Sequence, residues 1–446
     1  MMNKSTEDNK ILVFVERRTP RLSYIFNLIF RELLGLNLEI TIDKIVFKNS
    51  IIPKLSYGYS DMGEDLFIAA DSLLYERGIT DIVLTFSTYN NLPCFFNTYN
   101  KKSAFPFDLF AASFYLVSRY EEYLPYINDK YGRFPASESI AFNKGFLQKP
   151  LVNIWSIDLG NKLKEIFHDL TITTPTYKYL PTIDIDAAFA YKDKGFWRII
   201  GGYLKDLRDR KFDDINERTN VLLGKGKDPF DSFDYIFQLH KSYNFIPIFF
   251  ILCADYGNND KNLPTYNWKF QSLIRHIADY GEIGIHPSFA SNTEKIKLEK
   301  EIKLLSKITH SEITKSRQHF LIINMPETYR NISNHGIKND YSMGFAANPG
   351  FRASICTPFY FYNLEHEMIT SLKINPFAYM EGTLKDYMGL DTDAAYIIIK
   401  DLIDEVKAVG GTFISLWHNE SLGGKKRWKG WPEIYERSLQ YGRILP

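Results

Sequence analysis

The stretch PTIDIDAAFAYK, residues 181–192, places Asp184 and Asp186 two positions apart at the end of a partly apolar run. Side chains alternate between the two faces of a β-strand, so these two carboxylates would leave the backbone on the same face. Their mutual repulsion must then be offset by solvent, a basic partner or a bound cation. The simpler interpretation is that the two aspartates cap a helix or form a turn. The rest of the chain has to decide between this structural role and a bound partner or cation.

From about residue 175 onward, apolar strand-like runs alternate with amphipathic helix-like runs, which is typical of βα units in a parallel sheet or barrel. The predicted strands are YLPTIDI (179–185), IPIFFIL (246–252), GEIGIH (281–286), ITKSRQHF (313–320), YSMGF (341–345), INPFAYM (374–380) and GGTFISLWH (410–418). The predicted helices between them are 231–243, 267–281, 293–309 and 392–410.

Polar residues recur at or just beyond the ends of these predicted strands: Asp184, Asp186, Asp255, His286, His319, Glu381 and His418. The carboxyl ends of parallel strands share one edge, where the loops that carry chemistry converge. We therefore expect these side chains to meet. The position of His319 depends on the strand being 313–320 rather than the following run HFLII.

The first part of the chain predicts a smaller α+β domain. Its strand-like runs are 10–16, 38–42, 44–48 and 81–86, and one helix is predicted over 108–125, capped by Asp108 and ended by Pro125. The charged run SRYEE, residues 118–122, is predicted to lie on a solvated helix face, and the alternative is that its charges pair with one another or face a second domain. The predicted division is an N-terminal domain over 1–150, a connecting segment over 151–177 and a (β/α) barrel over 178–446.

Composition narrows the classes of partner. The chain has 446 residues, enough for two domains, and a formal net charge of +1, which gives no overall footprint for nucleic acid or an anionic membrane. No apolar run reaches membrane-spanning length, and the N-terminal stretch does not resemble an export signal. The three cysteines of the chain, Cys94, Cys253 and Cys356, are far apart in sequence, which favours a reducing cytoplasm. The sequence carries no information on the oligomeric state.

The strand-end residues also suggest a chemistry. A divalent ion held by a carboxylate and one or two imidazoles, with a position left for water, is a common hydrolytic arrangement. A single histidine is more often structural than a ligand, but here several converge. The second carboxylate of the Asp184–Asp186 pair would then be free to act as a base.

Residues 178–420 resemble the NodB-homology polysaccharide deacetylases, a branch of carbohydrate esterase family 4. The family's first motif is an aspartate pair on the first strand, which TIDID resembles. The resemblance implies a distorted (β/α)7 barrel, with Asp184 as general base and Asp186 as a metal ligand. It also implies a divalent metal, zinc first and cobalt or nickel next, and a carbohydrate or sugar-containing substrate.

The second family motif, H-[ST]-x-x-H, is met only in part. His286 matches its first histidine, but Pro287 stands at the Ser/Thr position and Ala290 stands where the second histidine belongs. Two ligands hold a metal poorly, so another must come from elsewhere. His319 is the candidate, while Ser288 and Asp255 are poorer alternatives.

The remaining motifs supply the other catalytic candidates. The third motif is an arginine near an aromatic that orients the catalytic aspartate, and Arg317 with Phe320 resembles it, although Arg352 is a second candidate. The fourth motif, L-x-H, is matched by Leu416 and His418, and it implies His418 as the general acid.

The implied function is metal-dependent N-deacetylation of an N-acetylated sugar, or cleavage of a related C–N amide bond. The alternative, favoured by Ala290, is a catalytically lapsed deacetylase fold that binds a glycan or a protein. A third possibility, suggested by the missing export signal, is an enzyme acting on a nucleotide-linked or lipid-linked sugar.

Overall fold

The computed structural model describes residues 9–63, 66–292 and 294–443. Within these ranges the strands are β1 (Lys10–Val15), β2 (Asn37–Thr41), β3 (Lys54–Gly58), β4 (Phe67–Ala69), β5 (Phe86–Tyr89), β6 (Leu92–Phe95), β7 (Lys178–Ile185), β8 (Ile248–Ile251), β9 (Glu282–Ile285), β10 (Lys315–Ser316), β11 (Asn339–Asp340), β12 (Phe359–Asn363), β13 (Met368–Ile374), β14 (Tyr379–Met380) and β15 (Thr412–His418).

The α-helices of the same ranges are α1 (Pro20–Phe26), α2 (Lys44–Asn49), α3 (Leu109–Val117), α4 (Ile140–Asn143), α5 (Leu151–Ile166), α6 (Phe196–Arg208), α7 (Phe212–Leu222), α8 (Phe233–Tyr243), α9 (Trp268–Ala278), α10 (Lys295–Thr309), α11 (Glu327–Asn334), α12 (Thr392–Ala408), α13 (Asn419–Leu422) and α14 (Trp431–Gly442). A π-helical segment, Asn27–Leu33, continues α1, and a second one spans Thr383–Tyr387. In the described part of the chain we find no helix with the length and apolar character of a membrane span.

The N-terminal sheet has four parallel strands in the order β2-β1-β3-β4. Strand β1 is apolar on both faces, because Val13 belongs to the main core while Phe14 packs against Phe47 of α2 on the other side. A strand buried on both faces is typical of a parallel sheet covered by helices. The four-stranded sheet is therefore parallel and packed against helices, and the N-terminal part also contains the separate antiparallel hairpin of β5 and β6.

Two of its predicted strands are wrong. Residues 44–48 lie in helix α2, which begins because the Asp43 carboxylate accepts hydrogen bonds from the N–H groups of Ile45 and Val46. Only Phe86 of the predicted strand 81–86 lies in a strand, β5. The helix predicted from Asp108 begins as predicted, with Asp108 as the N-cap of α3, but it ends at Val117 rather than at Pro125. Arg119 adopts a left-handed conformation that breaks the helix before Tyr120–Tyr123.

The second sheet has nine strands in the order β12-β13-β11-β10-β9-β8-β7-β15-β14. All neighbouring pairs are parallel except β12 and β13, which form an antiparallel hairpin that the sequence did not predict. The central strands β7 and β15 pair in register, with Asp184 opposite His418. Parallel order places the carboxyl ends of these strands at one edge of the sheet, as the sequence predicted.

Several elements differ from their prediction. The strand expected at 341–345 is β11, which ends at Asp340 before that run begins. Helix α5 occupies most of the segment expected to be only a connection, and α6 and α7 were not predicted. The four helices predicted between the strands are observed as α8, α9, α10 and α12.

The charged run after α3 is buried against the second sheet's loops, so the predicted solvated face is wrong. Arg119 donates to Glu122, and Glu122 also accepts two hydrogen bonds from Arg352, at 2.8 and 2.6 Å. All three side chains are at most 4 % exposed. Arg119 also pairs with the buried Glu121 at 2.7 Å, so Glu122 is the shared partner of two buried guanidinium groups and the counter-charge of Arg352 across the contact between the N-terminal part and the second sheet.

We expect Glu122→Gln to lower the free energy of unfolding by about 3–5 kcal/mol, because it leaves Arg352 buried without its counter-charge, while Arg119 keeps only its pair with Glu121. Urea unfolding followed by circular dichroism measures the loss. The matched control is Glu327→Gln, which removes an exposed glutamate beside Arg330 and should cost under about 1 kcal/mol. Equal losses in the two variants would contradict this account.

Candidate functional site

One cavity at the carboxyl edge of the nine-stranded sheet collects most of the predicted site residues. Asp186 follows β7, His286 follows β9, His319 lies three residues after β10, Glu381 follows β14 and His418 ends β15. All five line a cavity of about 320 Å³, together with Asp184. Strands from separate parts of the chain meet at this edge because they are neighbours in a parallel sheet.

Asp186, His286 and His319 form the group with the geometry of a metal site. Each offers one ligand atom, and these three atoms lie within 4.8 Å of one another. The Oδ1 atom of Asp186 is 3.1 Å from Nε2 of His286, and its Oδ2 atom is 3.6 Å from Nε2 of His319. One carboxylate and two imidazoles are a common first set of ligands for zinc and similar ions.

The hydrogen bonding of His286 leaves a free lone pair on Nε2, the nitrogen that faces the cavity. Its Nδ1–H donates to the carbonyl oxygen of Arg317 at 2.5 Å, which leaves Nε2 as the unprotonated atom of the neutral ring. Among the described residues, neither this Nε2 nor Oδ1 of Asp186 has a hydrogen-bond partner. Two facing lone-pair atoms at 3.1 Å need a cation or a proton between them, so the residues present fit a divalent metal.

His319 is held by a residue that the sequence analysis missed. Its Nδ1 lies 2.9 Å from Oδ1 of the buried Asp260, which also accepts the Phe289 N–H at 2.9 Å. The segment that carries the second histidine in the resembled family, here ending in Ala290, thus supports the aspartate that orients His319. Asp260 carries no sequence signal, since it stands among polar residues in a loop nine residues after β8.

The carboxylates and imidazoles of the cavity shift one another's pKa values. Burial alone would raise the pKa of Asp186, but His319, His286 and His418 more than offset it and hold that pKa well below its usual range. Burial lowers the pKa of His319 and His418, yet the neighbouring carboxylates raise the two values to about 9 and about 10. The carboxylates therefore draw positive charge into the cavity, which a divalent cation also supplies.

Asp184 is fixed beside this group by Arg317. The guanidinium Nη1 donates to Oδ1 of Asp184 at 3.0 Å and to the Thr182 hydroxyl at 2.6 Å, and Nε donates to the Tyr341 carbonyl at 2.9 Å. Arg317 is fully buried and its guanidinium lies 4.6 Å from the Phe250 ring centroid. The arrangement holds one oxygen of Asp184 and leaves the other, Oδ2, 3.7 Å from Nε2 of His286.

His418 lies on the neighbouring strand and is oriented by Glu381. The Oε1 atom of this fully buried glutamate accepts from both Nδ1–H and the backbone N–H of His418, at 2.8 and 2.9 Å. The tautomer with hydrogen on Nδ1, or the fully protonated ring, follows from this pairing. The Nε2 atom points into the cavity, 3.6 Å from Oδ2 of Asp186.

The structure does not bring Arg352 to the cavity. Its guanidinium pairs with Glu122 and the Gly344 carbonyl in the buried contact described above, so we correct its assignment as a catalytic candidate. Asp255 and Ser288 line a separate cavity of about 190 Å³, which removes them as alternative ligands. For Asp255 the reason is that a position after a strand in the sequence does not fix the direction of a side chain.

The walls of the cavity are partly aromatic and include one residue from the N-terminal part. Phe320, Tyr387 and Trp428 line it. Phe320 has φ of +60°, a left-handed conformation that is uncommon for a bulky residue. Arg133, from the N-terminal part, donates to its carbonyl at 2.8 Å and reaches the Tyr387 hydroxyl at 3.4 Å.

Comparisons of the sequence with known proteins assign no function to the chain. Residues 11–168 match the model of a family of unknown function, DUF7033. No curated protein matches the chain.

Solved structures that resemble the chain include polysaccharide deacetylases and a CE4 family pseudoenzyme of Bacillus anthracis, all with low sequence identity. A candidate polysaccharide deacetylase of Mycobacterium smegmatis is 14% identical, with 59% of this chain and 84% of that one covered and a TM-score of 0.39. A candidate from Pseudomonas aeruginosa PAO1 is 12% identical over the same shares, with a TM-score of 0.38. The polysaccharide deacetylase of Bacillus cereus is 13% identical, with 59% and 87% covered and a TM-score of 0.30.

Proposed function

We propose that this protein is a metal-dependent hydrolase that removes the acetyl group from an N-acetylated sugar. The observation that carries the proposal is the group of Asp186, His286 and His319, in which two lone-pair atoms face each other at 3.1 Å without a hydrogen-bond partner among the described residues. The proposed ion is zinc, with cobalt or nickel as substitutes. When bound, it would polarise the acetamide carbonyl and lower the pKa of a water molecule.

The two residues on the paired strands β7 and β15 have complementary roles in this proposal. Asp184, held by Arg317 and Thr182, accepts the proton of the water whose oxygen adds to the carbonyl carbon. His418, oriented by Glu381, donates a proton from Nε2 to the nitrogen as the C–N bond breaks. The products leave as acetic acid and the amine, which become acetate and ammonium in water. Asp184 then releases the proton that it took and His418 takes one up, so both residues return to their starting state.

Arg317 and Glu381 act as positioning residues in this mechanism. Arg317 restricts Asp184 to one orientation through a hydrogen bond and an ion pair, and Glu381 restricts the His418 ring. The residues fill the roles of the resembled family's motifs, except that His319 replaces the missing second histidine. This replacement favours an enzyme over the catalytically lapsed alternative that Ala290 suggested.

We also propose the finer parts of the fold prediction. Apolar side chains from β8 and β15 share one core cluster with Tyr341, which directly follows β11, and Phe377, which precedes β14, and Leu180 of β7 packs against this cluster. Phe377 donates its N–H to the Met343 carbonyl, while the next residue, Ala378, donates to Ile414 in β15. These contacts support a sheet that curves into a distorted (β/α)7 barrel over 178–446, following an N-terminal domain. Three buried free cysteines support a cytoplasmic location.

The test is acetate release from N-acetylglucosamine and its oligomers by the purified protein, with added zinc and after chelation. We expect release with zinc and a loss of at least about a hundredfold after chelation, with recovery on adding zinc or cobalt back. Glycan binding without acetate release under all metal conditions would instead indicate the lapsed, binding-only protein.

A further inference from the structure

A second cavity of about 340 Å³ adjoins the first. The two share Glu420, Arg427 and Trp428 as lining residues. The second cavity lies between the loop before α6, which contributes Lys194, and the Lys-rich loop after α13, which contributes Lys425. A ligand whose acetamide enters the first cavity therefore has a second chamber directly beside it.

Two of the four cations that line this second cavity are already paired. Each is matched by two carboxylates: Lys426 by Asp214 at 2.6 Å and Glu217 at 3.0 Å, and Arg427 by Asp386 at 2.7 Å and Glu420 at 3.2 Å. Both cations are therefore fully compensated, and of the four carboxylates only Glu420 lines the cavity itself.

The other two cations make no direct ion pair within the described chain, although the carboxylates of Asp228 and Glu420 lie close enough to Lys194 to raise its pKa. The ammonium groups of Lys194 and Lys425 make neither a hydrogen bond nor an ion pair with any described residue. The carboxylate of Asp228, near Lys194, already accepts four backbone N–H groups. Burial, together with Arg198 and Arg218, lowers the pKa of Lys194 to about 8. Two ammonium groups are thus available to an anion in the cavity.

Among the described residues, the cavity offers an anion two lysine ammonium groups and no free arginine. The planar fork of an arginine suits both carboxylates and phosphates, and the only arginine lining this cavity in the described chain, Arg427, is already paired. Lysine ammonium groups are compact point charges that suit the distributed charge of a phosphate. The rings of Tyr191, Phe230 and Trp428 supply the apolar walls against which a sugar or a base packs.

We propose that the second cavity binds the phosphate of the substrate through Lys194 and Lys425, so that the substrate is an N-acetylated sugar carrying a phosphate. This inference rests on the proposed function only for the statement that the substrate carries an acetamide group; the phosphate site is argued from the second cavity. The phosphate is either a monophosphate on the sugar or the diphosphate of a nucleotide-linked sugar.

The test is calorimetric titration of the full chain with its metal site disabled by His286→Ala, or of the chelator-treated parent if that variant fails to fold. The probes are N-acetylglucosamine, N-acetylglucosamine 1-phosphate, UDP-N-acetylglucosamine and inorganic phosphate. Without metal there is neither turnover nor binding of phosphate to the ion, so the result is independent of whether the protein is a deacetylase.

We expect the phosphorylated sugars to bind at least about tenfold more tightly than N-acetylglucosamine, with Lys194→Gln and Lys425→Gln each removing roughly threefold to tenfold of that gain. Tighter binding of the nucleotide-linked sugar than of the monophosphate would assign the diphosphate as the source. The matched control, Lys429→Gln, removes an exposed cation of the same loop that lies outside the cavity. Equal affinities for phosphorylated and neutral sugar, or equal losses in Lys194→Gln and Lys429→Gln, would overturn the proposal.

Discussion

His286→Ala is expected to abolish stoichiometric zinc binding and to lower deacetylation by at least about a thousandfold. The imidazole is fully buried, and the Arg317 carbonyl fixes its Nδ1–H so that Nε2 alone faces Asp186. Alanine removes a preoriented ligand that no neighbouring side chain replaces within the described site. The measurement is metal content by elemental analysis after dialysis, combined with the rate of acetate release.

His319→Ala should lose zinc in the same way, because the ligand set is completed by this residue rather than by position 290. Asp260→Asn should retain part of the binding and weaken zinc affinity by about 10- to 100-fold, since it loosens the orientation of His319 without removing it. His276→Ala, an exposed histidine on α9, is the matched control and should bind zinc as the parent does. Zinc retained in His319→Ala but lost in His286→Ala would show that the third ligand comes from elsewhere.

Asp184→Asn is expected to leave zinc content unchanged while lowering kcat by about 10²- to 10⁴-fold. Asparagine has the same shape and still accepts a hydrogen bond from Arg317, but it cannot take the proton of the attacking water. The Asp184 carboxylate is not in the ligand group, which is why metal content and activity should separate. Parallel zinc analysis and steady-state kinetics measure both quantities.

The control for this variant is Asp255→Asn, which changes an exposed aspartate that follows β8 and lines a different cavity. Its kcat should match that of the parent. Loss of zinc together with activity in Asp184→Asn would assign Asp184 to the metal rather than to proton transfer. An unchanged kcat would remove it from the mechanism altogether.

The parts of the fold that were predicted from sequence are those with long apolar patterns. Strands β7 and β15 and helix α12 were placed to within a few residues, because each is long enough for burial to repeat along it. Strands β10 and β11 are two residues long, and no periodicity exists at that length. Helix α2 was predicted as a strand because its apolar residues are consecutive, although only Phe47 is buried and the Asp43 cap decides the conformation.

The residues of the site also separate into those that could be predicted from the sequence and those that could not. Residues that end a strand, such as His286 and His418, were predictable because the strand fixes where they emerge. Asp260 was not, since an irregular loop folds it back to His319 and the nearer Asp255 was chosen instead. The choice between Arg317 and Arg352 needed three dimensions, because the counter-charge of Arg352 comes from a glutamate 230 residues earlier in the chain.

The hydrogen bond from Arg133 to the Phe320 carbonyl spans 187 positions in sequence. It holds the unusual backbone turn directly after His319, so the shape of the pocket is set partly by a region that contributes none of the proposed reacting groups. A gene fragment that encoded only the nine-stranded sheet would inherit every one of those groups and lose the brace that sets their spacing. Replacing the N-terminal part by an unrelated domain should therefore alter the pocket, and selection for the proposed reaction would act on the N-terminal part and the nine-stranded sheet together.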